Sequence, residues 1–201
     1  MKLILENWKK FLNESKLRVF DFDDTLVATD SMVYLTLPDG SEKEITPAEF
    51  ATYQLKDGES FDEDPESANF AYREFGQIKN PKEIPFVMNI LKSVVKKEMQ
   101  DPEDRKIVIL TARAHNARIP ILTFLEYVLG TSAAEKVEVH TLGDKDPNAK
   151  SGWIEAEIMQ GATDIEFFDD SGPNVEAVAA LKEKYPEVRL RSRRIIKRGE
   201  G

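Results

Sequence analysis

The 201-residue sequence predicts an open α/β fold: a parallel sheet of about five strands, with helices on both faces and a small insert after the first strand. Two observations carry this. Short apolar runs bounded by turn residues alternate with segments of helical apolar spacing, the pattern that parallel sheets demand of their crossovers. One connection, from residue 27 to 105, is far too long for a simple crossover and must hold something extra.

Residues 3 to 12 place Leu3, Leu5, Trp8, Phe11 and Leu12 at near-helical spacing, so an amphipathic helix is expected within residues 1–16, ahead of a catalytic domain over 17–201. The segments Leu17 to Phe22, Lys106 to Thr111, Val137 to Leu142 and Ile165 to Phe168 read as buried strands, and Glu187 to Ile196 as an arginine-rich edge strand. Helices are expected over Ile84 to Met99, Ile119 to Leu129, Ser151 to Gln160 and Asn174 to Tyr185. In the long connection, Met32 to Ile45 alternates around Pro38-Asp39-Gly40 and predicts a β-hairpin. Residues 47 to 80 are acidic and turn-rich, with Phe50, Tyr53, Phe61, Phe70, Tyr72 and Phe75 scattered without period. The insert, about 32–80, is therefore expected to act as a mobile lid or cap.

Composition narrows the chemistry. There is no cysteine, so metal binding falls to carboxylates and the two histidines, His115 and His140, whose spacing makes no ligand pair. No apolar run is long enough for a membrane span, and the polar start MKLILENWKK argues against export, so a cytoplasmic protein without a membrane partner is expected. The net charge of −9 weighs against a general polyanion binder. Against that stand six basic residues near the end of the chain: Arg189, Arg191, Arg193, Arg194, Lys197 and Arg198.

Chemistry-bearing residues gather at strand ends. The first strand runs into Asp21-Phe22-Asp23-Asp24-Thr25, where open α/β sheets bind ligands. An extended backbone would point Asp21 and Asp23 to one side, whereas a turn would aim them at different atoms. The second strand ends in Thr111-Ala112-Arg113, whose hydroxyl can donate to a phosphoryl oxygen. The fourth ends in Asp169-Asp170, a pair that repels itself unless a cation sits beside it; hard oxygen ligands suit Mg2+. Lys145 and Lys150 both precede a helix, and either is a candidate for the cation that such a site needs.

In this order, the motifs resemble the haloacid dehalogenase (HAD) superfamily: Asp21, Asp23 and Thr25 in the first loop, Thr111 after the second strand, Lys150 before a later helix, and Asp169-Asp170 after the fourth strand. The resemblance implies a Rossmann-like sheet and a Mg2+ cofactor. Asp21 would be a covalent nucleophile and Asp23 a general acid and base, with Thr111 and Lys150 completing the catalytic set and Thr25, Ala112 and Arg113 around the phosphate. Metal ligation would fall to Asp21, the Asp23 carbonyl, Asp169 and Asp170. The insert would match the family's flap and small cap. The expected activity is hydrolysis of a small phosphorylated metabolite or nucleotide. The alternatives are a phosphatase of polynucleotide 3′ ends, for which nucleic acid would be the partner, and a non-catalytic binding module. Met1 to Glu14 also resembles leader segments of tailed-phage proteins, against the plainer reading of a packed amphipathic helix.

Overall fold

The computed structural model describes residues 15–46, 49–50, 53–64, 66–74, 76–102 and 105–196. Five strands form the central sheet: β1 (Ser15–Phe20), β6 (Arg105–Thr111), β7 (Val137–Thr141), β8 (Ala162–Asp169) and β9 (Arg189–Arg194). Their spatial order is β7-β6-β1-β8-β9 and every pairing is parallel. This is a Rossmann-like α/β sheet, as the alternation of strand and helix signals predicts.

Both faces are covered, which is why β1, β6 and β8 read as nearly unbroken apolar runs. Phe20, Ile107, Ile109, Val139 and Phe168 pack with α1 (Pro85–Gln100) and α2 (Arg118–Leu129). A short helix, α3 (Thr131–Ala134), follows α2. On the other face Leu17, Val19, Val108, Leu110, Ile165 and Phe167 pack with α4 (Pro147–Met159) and α5 (Gly172–Lys184). No helix among the described residues is long and apolar enough to cross a membrane.

The chain steps outward from β1 to β6 and β7, then returns to add β8 and β9 on the other side. The order therefore reverses between β1 and β8, and a crevice at their carboxyl ends is where such sheets take ligands. Asp21 and Asp169 stand at those two ends.

Two expectations are corrected in their bounds. Ser15 and Lys16 belong to β1, so the sheet domain begins two residues before 17; the expected helix over residues 3 to 12 lies outside the described residues. Helix α4 begins at Pro147, not Ser151, because Asp146 caps it by accepting the Asn148 N–H (2.8 Å) and Pro147 fits the first turn. Lys150 thus sits inside the first turn. The insert has a small core of its own. Strands β3 (Val33–Thr36) and β4 (Glu42–Ile45) form the predicted hairpin. On it Val33, Ile45, Phe50 and Ala71 make a small core with Tyr53, Phe61 and Tyr72. Phe50 meets Phe61 and Tyr72 edge-on at 5.2 and 5.4 Å, so aromatics without sequence period share one cluster; Phe75 lies outside the described residues. The insert leaves and rejoins the sheet domain through a two-strand neck, β2 (Val27–Ala28) against β5 (Lys82–Glu83).

The basic edge strand is not a row of free charges. Arg191 pairs with Asp164 at 3.1 Å and Arg193 with Glu166 at 3.4 Å, while Arg18 of β1 also holds both acids.

Candidate active site

The backbone turns sharply after Asp21. The Leu26 and Val27 N–H groups both donate to the Phe22 carbonyl (3.0 and 3.1 Å), and Asp24 takes a left-handed φ of 55°. Asp24 then donates its N–H to Val27 O (2.9 Å), closing the loop. This turn sends Asp21 and Asp23 to different partners, the second of the two possibilities open to an acidic pair two residues apart.

Asp21 is buried and accepts from Lys150 Nζ at 2.6 Å. The same ammonium reaches Asp169 at 2.7 Å, so one buried cation bridges the ends of β1 and β8. Asp169 is wholly buried and takes further hydrogen bonds from the Ser171 N–H (2.8 Å) and Asn174 Nδ2 (3.1 Å). Thr25 accepts the Asp170 N–H (3.0 Å), and its hydroxyl faces the Asp170 carboxylate at 3.4 Å. Carboxylate oxygens of Asp21, Asp169 and Asp170 all lie within 4.8 Å of one another.

Three carboxylates and one ammonium leave this buried cluster with excess negative charge. Burial pushes Asp21 well above the usual carboxylate range; Lys150 opposes that, and the neighbouring Asp169, Asp170 and Asp23 charges add to it. Burial and then the charges of Asp169 and Asp24 push Asp170 up to about 6. For Lys150 burial acts downward, but Asp21 and Asp169 outweigh it and the net shift is upward. An all-oxygen cluster with uncompensated charge fits a hard divalent cation such as Mg2+, which would reverse the upward shifts of the carboxylates.

That charge imbalance has a consequence for stability. A carboxyl whose folded pKa is raised contributes stability that is complete below the unfolded value near 3.8 and is lost as pH rises through about 6. In metal-free buffer the melting temperature is therefore expected to fall between pH 5 and 7. Asp170→Asn should flatten that fall and stabilise the metal-free protein at neutral pH by about 1–3 kcal/mol. Melting curves of both proteins in EDTA at pH 5 and 7 test this; a wild type that gains stability over that interval contradicts it.

Of the other expected site residues, Arg113 is buried and faces Asp23. Its Nε and Nη2 donate to Asp23 Oδ2 and Oδ1 at 2.8 and 2.7 Å. Thr25 braces the Asp170 loop through its hydroxyl. Thr111 ends β6, buried, with its hydroxyl accepting the Arg113 N–H at 3.2 Å. Ala112 stands half-buried between them. The Asp23 carboxylate stays outside the three-carboxylate cluster. Lys145 is exposed, its Nζ over the rings of Phe50 (4.3 Å) and Phe61 (5.2 Å), so it holds the insert and not the acidic site. His115 shares a hydrogen bond with Thr141 and His140 with Glu138, apart from the cluster. Sequence reasoning gave no role to Asn174, though its place five residues after Asp169 in the first turn of α5 was a usable signal.

No family model matches the chain, and no curated protein matches it. Among solved structures it is similar to the Legionella pneumophila effector Ceg4, in two crystal structures carrying different N-terminal additions. These are 19% and 15% identical over 92% of this chain and 89% and 88% of theirs, each with a TM-score of 0.41. Likeness at that level carries no argument about function.

Proposed function

We propose that the chain is a Mg2+-dependent phosphomonoester hydrolase of the haloacid dehalogenase type, working through an aspartyl-phosphate on Asp21. The observation that carries this reading is the buried Lys150 bridging Asp21 and Asp169 at the strand-order reversal, with Asp170 in the same cluster. Buried like charges repel, and a purely structural module has no use for three of them at a ligand-binding edge.

In this mechanism an Asp21 oxygen attacks phosphorus while the bond to the leaving oxygen breaks, and Asp23 gives that oxygen its proton. Water then attacks the phosphorus of the acyl phosphate, Asp23 takes the water proton, and Asp21 departs as a carboxylate with inorganic phosphate released. Lys150 holds Asp21 in place and offsets the charge that gathers there. Mg2+ held by Asp21, Asp169, Asp170 and the Asp23 carbonyl would neutralise the carboxylates and the phosphoryl oxygens.

The substrate we favour is a small phosphomonoester. Two arginines of the edge strand are tied to Asp164 and Glu166, which removes much of the track a nucleic-acid strand would need. The polynucleotide-end reading keeps one specific support: Arg194 ends β9 at the site's edge, exposed, its Nε donating to the Asp170 carbonyl at 3.2 Å. The test compares kcat/KM for mononucleotides and sugar phosphates with that for a 3′-phosphorylated oligonucleotide, at two salt concentrations, with Mg2+ and with EDTA. We expect hydrolysis of the small esters only with Mg2+ and little dependence on salt. Full activity in EDTA overturns the metal assignment, and a salt-sensitive preference for the oligonucleotide overturns the substrate class.

A further inference from the structure

We propose that Arg113 is a positioning residue that joins the Asp23 carboxylate to the insert, so that the posture of the acid/base depends on where the insert lies. The inference rests on the role given to Asp23 above.

The side chain is 1% exposed and its planar fork meets three segments at once. Nε and Nη2 take the two oxygens of Asp23; Nη2 also reaches Thr29 Oγ1 at 3.2 Å, and Nη1 donates to the Gln77 carbonyl at 2.7 Å. Thr29 directly follows the outgoing neck strand β2, and Gln77 belongs to the insert's returning segment. Ser31 donates to the same Gln77 carbonyl (3.1 Å), and the Asp30 N–H donates to Lys79 O (3.0 Å), so outgoing and returning chains are sewn together around the guanidinium. Beside them, Gly76 lies against Asn116 so closely that a Cβ there would stand 2.7 Å from Nδ2.

A guanidinium is rigid and flat, and it cannot turn toward a substrate without dropping one of these bonds inside a buried site. What it can do is fix Asp23. Two parallel charge-assisted bonds set both the position and the plane of that carboxylate, which a lysine ammonium cannot do. Because the opposite edge of the fork is held by Gln77, a displacement of the returning segment must either pull the guanidinium with it or break the fork's anchor. Either event changes where Asp23 points. Aiming a proton-transfer group is worth roughly tenfold to 10²-fold in rate.

The experiment is a double-mutant cycle of Arg113→Met and Asp23→Asn, with Arg113→Lys as the conservative variant. Turnover of p-nitrophenyl phosphate with Mg2+ is measured alongside amide hydrogen exchange. We expect Arg113→Met to lower kcat by roughly tenfold to 10²-fold with KM little changed, Arg113→Lys to restore little of it, and Arg113→Met to add nothing in the Asp23→Asn background. Amides of residues 29–31 and 77–79 should exchange faster in both single variants. Losses that multiply, a change confined to KM, or full rescue by lysine would overturn the proposal. If wild type hydrolyses no phosphomonoester, the assigned function fails, while the exchange data still decide whether the Asp23–Arg113 pair holds the insert: unchanged exchange in Asp23→Asn, which removes the charge and one of the fork's two acceptors, overturns it.

Discussion

Asp21→Asn is expected to remove turnover of every phosphomonoester the protein accepts, by up to roughly 10⁶-fold, the scale seen when a covalent nucleophile is lost. An amide oxygen carries no charge to deliver to phosphorus, and no neighbour can replace it: Asp169 is wholly buried beneath Ser171 and Asn174, and Asp170 is held by Thr25. The fold should survive. Lys150 keeps Asp169 as a partner, and removing one of three crowded carboxylates relieves both the burial that chiefly pushes Asp21 well above its ordinary range and the repulsion that adds to it. Steady-state kinetics on p-nitrophenyl phosphate and thermal melting check both halves. Acid quench of the wild type during turnover should trap a phosphoryl group on a peptide containing Asp21. Continued turnover by the Asp21→Asn protein, or an adduct elsewhere, would remove the covalent route.

The second large effect concerns Lys150. Lys150→Met should cost about 3–5 kcal/mol of stability, because it strips the cation from buried carboxylates, and it should reduce turnover by at least about 10²-fold through loss of charge stabilisation. Since the folded pKa of Lys150 is raised, its stabilising contribution is complete at neutral pH and fades only above the ordinary lysine range, so neutral buffer reports all of it. Lys145→Ala, by contrast, removes an exposed cation resting on Phe50 and Phe61, worth about 0.5–1 kcal/mol. It should leave kcat close to wild type. The paired melting curves and rates decide the assignment: greater damage from Lys145→Ala would transfer the role to that residue.

Much of this was legible in the chain because strand burial and strand-end chemistry are local. Ile107–Leu110 and Ile165–Phe168 are apolar runs with acidic or hydroxyl residues at their ends, and those ends converge once the strands pair in parallel. The choice between Lys150 and Lys145 was less visible. Asp146-Pro147 is a capping signal, but the weak helix formers Asn148 and Ser151 mask it, and only the earlier start of α4 turns Lys150 inward. The insert's core was hidden for another reason: Phe50, Phe61 and Tyr72 meet through tertiary packing with no helical or strand period between them. The tie between Arg113 and Gln77 left no trace at all, because its acceptor is a backbone carbonyl that any residue supplies.

The narrow neck of β2 and β5 gives the molecule a modular design. Ala28 and Lys82 are paired neighbours, so everything between them enters and leaves at one point on the parent sheet. The entropic cost of closing such a loop grows only with the logarithm of its length, by about 0.6 kcal/mol for each doubling. Trimming, lengthening or exchanging the excursion therefore leaves the sheet's connectivity and the convergence of Asp21, Lys150 and Asp169 untouched. Asp23 is the exception, because Arg113 ties it to Gln77, so a grafted replacement must rebuild a carbonyl where Gln77 now presents one and a surface for Lys145 to rest on.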